Sequence, residues 1–100
     1  MQAKLKVSTR SGSGKGAARK LRRDGRIPGI VYGGGGGSDL ISMRARETHL
    51  LLRSVGVDDT VFELSFDDER TEYARVQEVQ THPYRPELLH IDFMRVDPGA

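Results

Sequence analysis

The sequence predicts an all-β protein, a six-stranded closed or nearly closed β-barrel with two short α-helices. Several short segments alternate apolar and polar residues, as half-buried strands do, and only two segments have helical periodicity. Strands and helices do not alternate in the βαβ rhythm of a parallel sheet, which favours a barrel with helices at its rim. With 100 residues, of which 36% are hydrophobic, the chain can build one modest core.

The N-terminal part is predicted as a strand, a loop and a basic helix. Leu5 and Val7 alternate with polar residues in a first strand that ends near Arg10. A flexible loop of glycine and serine covers residues 11–16. A helix is predicted over residues 17–23, where small apolar and basic residues recur at helical spacing.

The next segment is predicted as a turn followed by two strands. Proline biases its predecessor to extended geometry, so residues 27–29 are predicted as a turn. Residues 30–32 are β-branched and aromatic and form the second strand. The five glycines at 33–37 are interpreted as a mobile hairpin or a connecting loop. A third strand is predicted over residues 39–44.

A second helix is predicted over residues 49–55. Thr48 is its candidate N-cap, unless the helix already includes Glu47. Its expected inward-facing residues are Leu50, Leu51 and Val55.

The C-terminal half is predicted as three strands, over residues 60–66, 71–80 and 88–96. A charged turn at 67–70 joins the first two, and a proline-containing loop at 81–87 joins the last two. In the middle strand the apolar positions change parity, which indicates a bulge or a twist.

Charge is distributed very unevenly along the chain. Residues 1–33 carry nine Lys/Arg and one acidic residue, a net charge of +8, whereas residues 34–100 carry a net charge of −6. This polarity predicts one face that binds a polyanion, either RNA, DNA or an anionic lipid surface. The lipid alternative is disfavoured because the basic helix lacks bulky apolar residues opposite its charges.

The basic residues of the stretch 14–32 are expected on one side of its helix. At 3.6 residues per turn, one face carries Arg19, Arg22, Arg23 and Arg26. The other face carries Ala17, Ala18 and Leu21. The functional interpretation is a rigid basic surface, and the alternative is a solvated helix with a surplus of arginine.

Catalytic, metal and nucleotide sites are not expected. The chain has no cysteine, and residues 13–16 lack both the leading glycine and the final Ser/Thr of a nucleotide P-loop. The glycine-flanked Lys15 is still suited to clamp a nucleic-acid phosphate. No metal, cofactor, small-molecule substrate or membrane partner is expected, because two ligands on one strand do not make a metal site and no long apolar segment occurs.

His90 and Asp92 are separated by one residue on a predicted strand, so they point to the same face. A carboxylate accepts hydrogen bonds from the guanine amino group or a 2′-hydroxyl, both of which an RNA minor groove presents. Tyr32 adds a hydroxyl and a flat face. The alternative is that the histidine and the tyrosine are strand residues without a role.

Two blocks of sequence carry a further signal. They are GKGAARKLRRDGRIPGIVYG at 14–33 and VQEVQTHPYRPELLHIDFMRV at 76–96. In this order and at this spacing they closely resemble the bacterial large-subunit ribosomal protein twenty-five family, also called the general stress protein Ctc family. The resemblance implies a barrel similar to the anticodon-binding barrel of glutaminyl-tRNA synthetase. It also implies cytoplasmic, ribosome-associated binding to 5S rRNA at loop E, in the central protuberance among other large-subunit components.

Carried over by motif, the resemblance implies that the RNA-facing residues are Arg10, Lys15, Arg19, Lys20, Arg22, Tyr32, Gln77, His90 and Asp92. Residues 1–96 would form the 5S rRNA-binding domain and 97–100 a tail, where longer family members carry a second β-rich domain. Two alternatives remain open: a stress-related protein–protein adaptor that uses the acidic half 34–100, and a tRNA-binding module.

Overall fold

Six strands close into a barrel in a computed structural model, which describes residues 2–10, 15–85 and 87–96. The strands are β1 (Gln2–Thr9), β2 (Arg26–Gly33), β3 (Gly36–Arg44), β4 (Val61–Phe66), β5 (Thr71–Thr81) and β6 (Leu88–Arg95). The helices are α1 (Lys15–Arg23) and α2 (Ala45–Ser54), and a 3₁₀ turn covers Val57–Asp59. The predicted six-stranded barrel with two short helices is therefore confirmed.

The strand order around the barrel is β1-β3-β2-β6-β5-β4, and the ring is closed. Strand β1 pairs with β4, and β2 pairs with β6, in parallel, while the other neighbours are antiparallel. Closure leaves no free edge among the six described strands, which removes the template that an exposed edge offers to other chains.

The core fills the barrel interior with alternate residues of every strand. Phe62 of β4 and Phe93 of β6 are fully buried and meet edge to face with ring centroids 5.8 Å apart. Burial of each such side chain contributes about 1.5–3 kcal/mol. The remaining large core residues are Leu5, Val7, Ile27, Val31, Ile41, Met43, Leu64, Phe66 and Ile91.

Helix α2 covers the barrel end at which β3 finishes, and it differs from the predicted helix. It begins at Ala45, so Thr48 lies in its first turn rather than at its N-cap, and the Thr48 hydroxyl donates to the Arg44 carbonyl at 2.7 Å. Leu51 and Val55 pack against the core as predicted. Leu50, predicted to face inward, is 53% exposed, because the helical period that buries Thr48, Leu51 and Leu52 places it on the opposite side.

The opposite barrel end is closed by an ion-pair cluster that was not predicted from the sequence. Arg95 lies at the end of β6, and its side chain is only 11% exposed. Its Nε donates to Glu72 of β5 at 2.6 Å, and its Nη2 donates to Asp39 of β3 at 2.7 Å. The same residue therefore links three strands across the mouth of the barrel.

The five-glycine run forms the hairpin between β2 and β3. Gly33 pairs with Gly36, and the two central residues, Gly34 and Gly35, have φ of 68° and 81°, as in a type I′ turn, which glycine adopts without steric cost. Arg95 Nη1 donates to the carbonyls of Gly33, at 3.1 Å, and Gly37, at 2.7 Å. The run thus folds closely around a charged side chain.

The predicted turn at residues 27–29 is wrong, because these residues continue β2. Ile27 and Pro28 are fully buried, and Gly29 pairs with Ile41 and Ile91 on the two neighbouring strands. Pro28 has no N–H, but the Arg26 side chain donates to the Ser42 carbonyl on the facing strand at 3.1 Å. Burial between two strands therefore overrides the local signal of a turn.

Candidate nucleic-acid interface

The outer faces of β2, β6 and β5 bring most of the predicted RNA-facing strand residues together. Because Ile91 and Phe93 are buried, His90 and Asp92 face outward on β6. Asp92 lies beside Ile30 of β2, and in the same way Tyr32 of β2 lies beside Met94 of β6. The predicted tyrosine, histidine and aspartate therefore share one continuous surface.

His90 and Asp92 form a close pair on that surface. Their Nδ1 and Oδ1 atoms are 2.9 Å apart, although the two groups are not aligned as in a hydrogen bond. Their side chains are 28% and 24% exposed. Because Nδ1 is buried against the carboxylate, Nε2 is the ring nitrogen left to meet a ligand. The pair thus presents a donor or acceptor beside a carboxylate, as the groove-edge interpretation requires.

Helix α1 lies against β2, next to the His90–Asp92 pair. Arg22 of α1 is half-buried, and its Nη1 donates to the Leu89 carbonyl of β6 at 3.3 Å. Leu89 is the residue directly before His90. This hydrogen bond fixes the basic helix at the edge of the outward surface, so cations and groove-edge groups lie together.

The basic face of α1 is smaller than predicted. Arg19, Lys20 and Arg23 are exposed, whereas the side with Ala17, Ala18 and Leu21 is half-buried, as expected. The placement of Arg26 on this helical face is wrong, because α1 ends at Arg23 and Arg26 begins β2. Glycine at position 25, with φ of 80°, makes the turn that separates them.

Arg10 follows β1 and lies against β3, which β2 separates from the His90–Asp92 pair. Its backbone N–H donates to the Leu40 carbonyl at 3.0 Å, and its Nε donates to the Ile41 carbonyl at 2.9 Å. Leu40 of β3 pairs with Ile30 of β2, and Ile30 pairs with Asp92 of β6. Arg10 is therefore aligned with Asp92 across β3 and β2. Burial lowers the pKa of the Arg10 guanidinium from its usual value, but arginine still remains charged.

The remaining predicted residues are Gln77 and Lys15. Gln77 is exposed at a register shift between Val76 and Glu78 of β5, which confirms the predicted bulge. Lys15 begins α1, but its side chain lies outside the described part of the structure, as do residues 11–14 of the predicted phosphate-clamping loop. Eight of the nine predicted residues therefore have described side chains, distributed over α1, β2, β5, β6 and the end of β1.

A second group of basic side chains, which was not predicted from the sequence, lies beside α1. Arg46 and His49 of α2 line a groove of about 210 Å³ together with Arg22 and Arg26. No signal in the sequence could have placed them there, because the two helices are more than twenty residues apart. They enlarge the basic area next to the predicted surface.

Two further findings concern the described residues alone. Among them, no group of three histidine or acidic side chains is arranged to hold a metal ion. No helix in the described ranges is both long enough and apolar enough to cross a membrane.

Comparison with known proteins identifies the family. Residues 5–93 match the model of the Ribosomal L25p family. The chain is 43% identical over 95 residues to the large ribosomal subunit protein bL25 of Methylobacterium sp. (strain 4-46), covering 95% of this chain and 43% of that protein. It is 37% identical to the protein of the same name from Rhodospirillum rubrum over 92 residues, covering 92% of this chain and 44% of that one.

The chain spans about half the length of the curated relatives that it matches. With the bL25 protein of Laribacter hongkongensis the match covers the whole of this chain and 54% of the relative, at 36% identity. The matched region contains the entire described barrel except its first residues and its last few. The resemblance of the two sequence blocks is confirmed, and the chain belongs to the Ribosomal L25p family.

Proposed function

We propose that this protein is a non-catalytic constituent of the large ribosomal subunit that binds 5S rRNA at loop E, in the central protuberance. In this proposal, the exposed cations of α1 contact phosphates. The outward groups of β2, β5 and β6 meet the edge of an RNA minor groove. The other components of the large subunit would be its further neighbours.

The observation that carries the proposal is the position of α1 relative to β6. The hydrogen bond from Arg22 to the Leu89 carbonyl places an arginine-rich helix directly beside the His90–Asp92 pair. A carboxylate within a basic surface repels phosphate, so it is favourable only where it meets a donor such as a guanine amino group or a 2′-hydroxyl. Cations for the backbone and a carboxylate for the groove edge together suit structured RNA.

Family membership bears on two broader predictions, that the protein is not an enzyme and that it is associated with the ribosome. The family is one of ribosomal proteins, so the prediction that the protein is not an enzyme is confirmed. The predicted ribosome-associated, cytoplasmic localisation is confirmed on the same ground.

A gel-shift titration with 5S rRNA, tRNA and a control duplex tests the proposal against its alternatives. We expect a selective shift of 5S rRNA. Selective binding of tRNA would indicate a tRNA-binding module instead. The absence of any selective shift would favour a protein–protein adaptor that uses the acidic half of the chain.

Replacing Arg19 and Lys20 by alanine is expected to weaken 5S rRNA binding and to flatten its salt dependence. Each phosphate contact contributes about 0.7–0.9 to the slope of log K against log salt, so loss of two contacts lowers the slope by about 1.4–1.8. Both side chains are exposed, so folding should be unaffected.

The matched control replaces Arg53 and Arg85 by alanine, which removes the same charge from exposed positions outside the surface. Equal slopes for the two double variants would show that α1 has no specific role.

Replacing Asp92 by alanine is expected to reduce discrimination between loop E and an ordinary duplex, with little change in the salt slope. A carboxylate that accepts from a base edge contributes about 1–3 kcal/mol to discrimination. It neutralises no phosphate, so counterion release is unchanged. The measurement is a pair of binding titrations, on a loop E fragment and on a duplex of the same length. Equal losses of affinity on both RNAs would contradict the role given to Asp92.

A further inference from the structure

A second basic groove lies beside β1, away from the outer face of β6 that carries the His90–Asp92 pair. In the six-strand ring, β1 is three positions away from β6, so their outer faces point in opposite directions. The groove beside β1 has a volume of about 580 Å³. Its polar lining includes Lys4, Lys6, Ser8, Arg26, Arg44 and Glu47.

The two lysines point into this groove because of the pattern of β1. Ala3, Leu5 and Val7 are buried in the barrel, so Lys4 and Lys6 face outward and are exposed. Two residues apart on a strand, their Cα atoms are separated by about 6.8 Å. Two neighbouring lysines at this spacing suit successive phosphates of one nucleic-acid strand.

Arg26 gives the groove a fixed cation. Its Nε donates to Ser42 Oγ at 3.0 Å, and its Nη2 donates to Ser8 Oγ at 3.2 Å and to the Ser42 carbonyl at 3.1 Å. These bonds hold the guanidinium across β1 and β3, so little side-chain entropy is lost when it binds a ligand.

Arg26 also connects this groove to the proposed interface. It lines the smaller groove that contains Arg22 and Arg46 as well as the groove beside β1. Cations therefore continue from the lysines of β1, through Arg26, to helix α1. A bound strand that leaves one surface has a positively charged route to the other.

Acidic residues offset only part of this charge. Arg44 lies 3.6 Å from Glu47, and both side chains are well exposed, so this pair neutralises itself. Lys4 pairs across the sheet with Glu63, whose carboxylate accepts a hydrogen bond from Tyr73. Lys6 is opposite Ser65 and, like Arg26, has no acidic residue directly across the sheet.

We propose that the groove beside β1 binds a ribose-phosphate strand of RNA, distinct from the RNA segment on α1 and β6. Lysine, arginine and serine are the side chains that most often contact nucleic-acid phosphates. Among the described residues that line the groove there is no aromatic side chain, and its two large aliphatic residues are Leu51 and the buried Leu5, so it has few of the anchors that protein interfaces use. The protein would then join two RNA segments. This inference rests on the proposed function only for the class of ligand.

The test first saturates the protein with an unlabelled loop E fragment, and then titrates a fluorescein-labelled oligouridylate while anisotropy is measured. We expect the oligouridylate to bind the preformed complex. Replacing Lys4 and Lys6 by glutamine should reduce the salt slope of that second binding by about 1.4, because each phosphate contact on a single strand contributes about 0.7. Binding of the loop E fragment itself should be unchanged.

The matched control is the Lys4→Arg, Lys6→Arg variant, which keeps both charges and should bind oligouridylate with the wild-type slope. An unchanged affinity and slope in the glutamine variant would overturn the proposal. Preferential binding of an oligoglutamate peptide would also overturn it, in favour of an acidic protein partner. If the loop E fragment fails to bind at all, the proposed function fails, and titration of free protein with oligouridylate still tests the groove.

Discussion

Replacing Arg95 by alanine is expected to lower the free energy of unfolding by about 3 kcal/mol, the lower end of the usual cost of removing one partner from a buried ion pair, because Arg70 still contacts both acidic partners. Arg95 lies between Asp39 and Glu72 at 2.7 and 2.6 Å, and its side chain is almost entirely buried. Without it, Asp39 and Glu72 keep only the more exposed Arg70 as a cationic partner, at 3.3 and 3.6 Å, and the hairpin carbonyls of Gly33 and Gly37 lose their donor. Urea denaturation followed by circular dichroism measures the loss.

A combined variant distinguishes the destabilisation caused by unpaired charges from the destabilisation caused by lost packing. Replacing Arg95 by methionine, together with Asp39→Asn and Glu72→Gln, removes the charges of all three residues at similar volume. Arg70, which also contacts both acids, keeps Asp68 at 2.9 Å as its ionic partner. Because an apolar or neutral replacement of a buried ion pair is often close to neutral in stability, this variant should recover most of the loss. A change of less than about 1 kcal/mol for the alanine variant would show that the trio does not stabilise the barrel.

Replacing Gly29 by alanine is expected to destabilise the barrel by about 2–3 kcal/mol, at the upper part of the range for overpacked cores. A Cβ at this position would lie 2.7 Å from the Ile91 carbonyl oxygen and 2.8 Å from Met43 Cε. The methionine methyl group can move, but the carbonyl belongs to the backbone of β6. Strands β2 and β6 must therefore separate. Thermal unfolding checks the stability.

Gly37→Ala is the matched control. A Cβ at Gly37 meets nothing within 4 Å, and its φ is not in the left-handed region, so this variant should unfold at the wild-type temperature or slightly above it. The Gly29 variant should also bind 5S rRNA more weakly, because it displaces Asp92 from Ile30 across the same pair of strands. Wild-type stability of the Gly29 variant would contradict the close approach of the two strands.

The barrel could be predicted because its strands alternate apolar and polar residues. The outward pairing of His90 and Asp92 followed in the same way from their spacing, and the β5 bulge followed from the change of parity. The segment at 27–29 was predicted incorrectly, because the local signal of a proline and a glycine says nothing about burial between β3 and β6. Tertiary packing decided its conformation.

The inward position of Arg95 could have been predicted from the sequence, but its ionic partners could not. Arg95 follows Ile91 and Phe93 at intervals of two residues, so the sequence alone places its side chain on the core side of β6. Its partners Asp39 and Glu72 are far away in sequence, and only the order of the strands brings them together. The contacts of Arg26 with Ser8 and Ser42 are of the same kind. Such pairs depend on topology, which local patterns do not contain.

The two parallel pairings have a consequence for how the chain is made. Strand β1 lacks its parallel neighbour β4 until synthesis has reached residue 66, and β2 lacks its parallel neighbour β6 until synthesis has reached residue 95. Loop-closure entropy must be overcome before these distant contacts form, which slows the final step. Until then a nascent chain displays a compact block of arginines and two unpaired strand borders, so early capture by a chaperone or by RNA would protect it from aggregation.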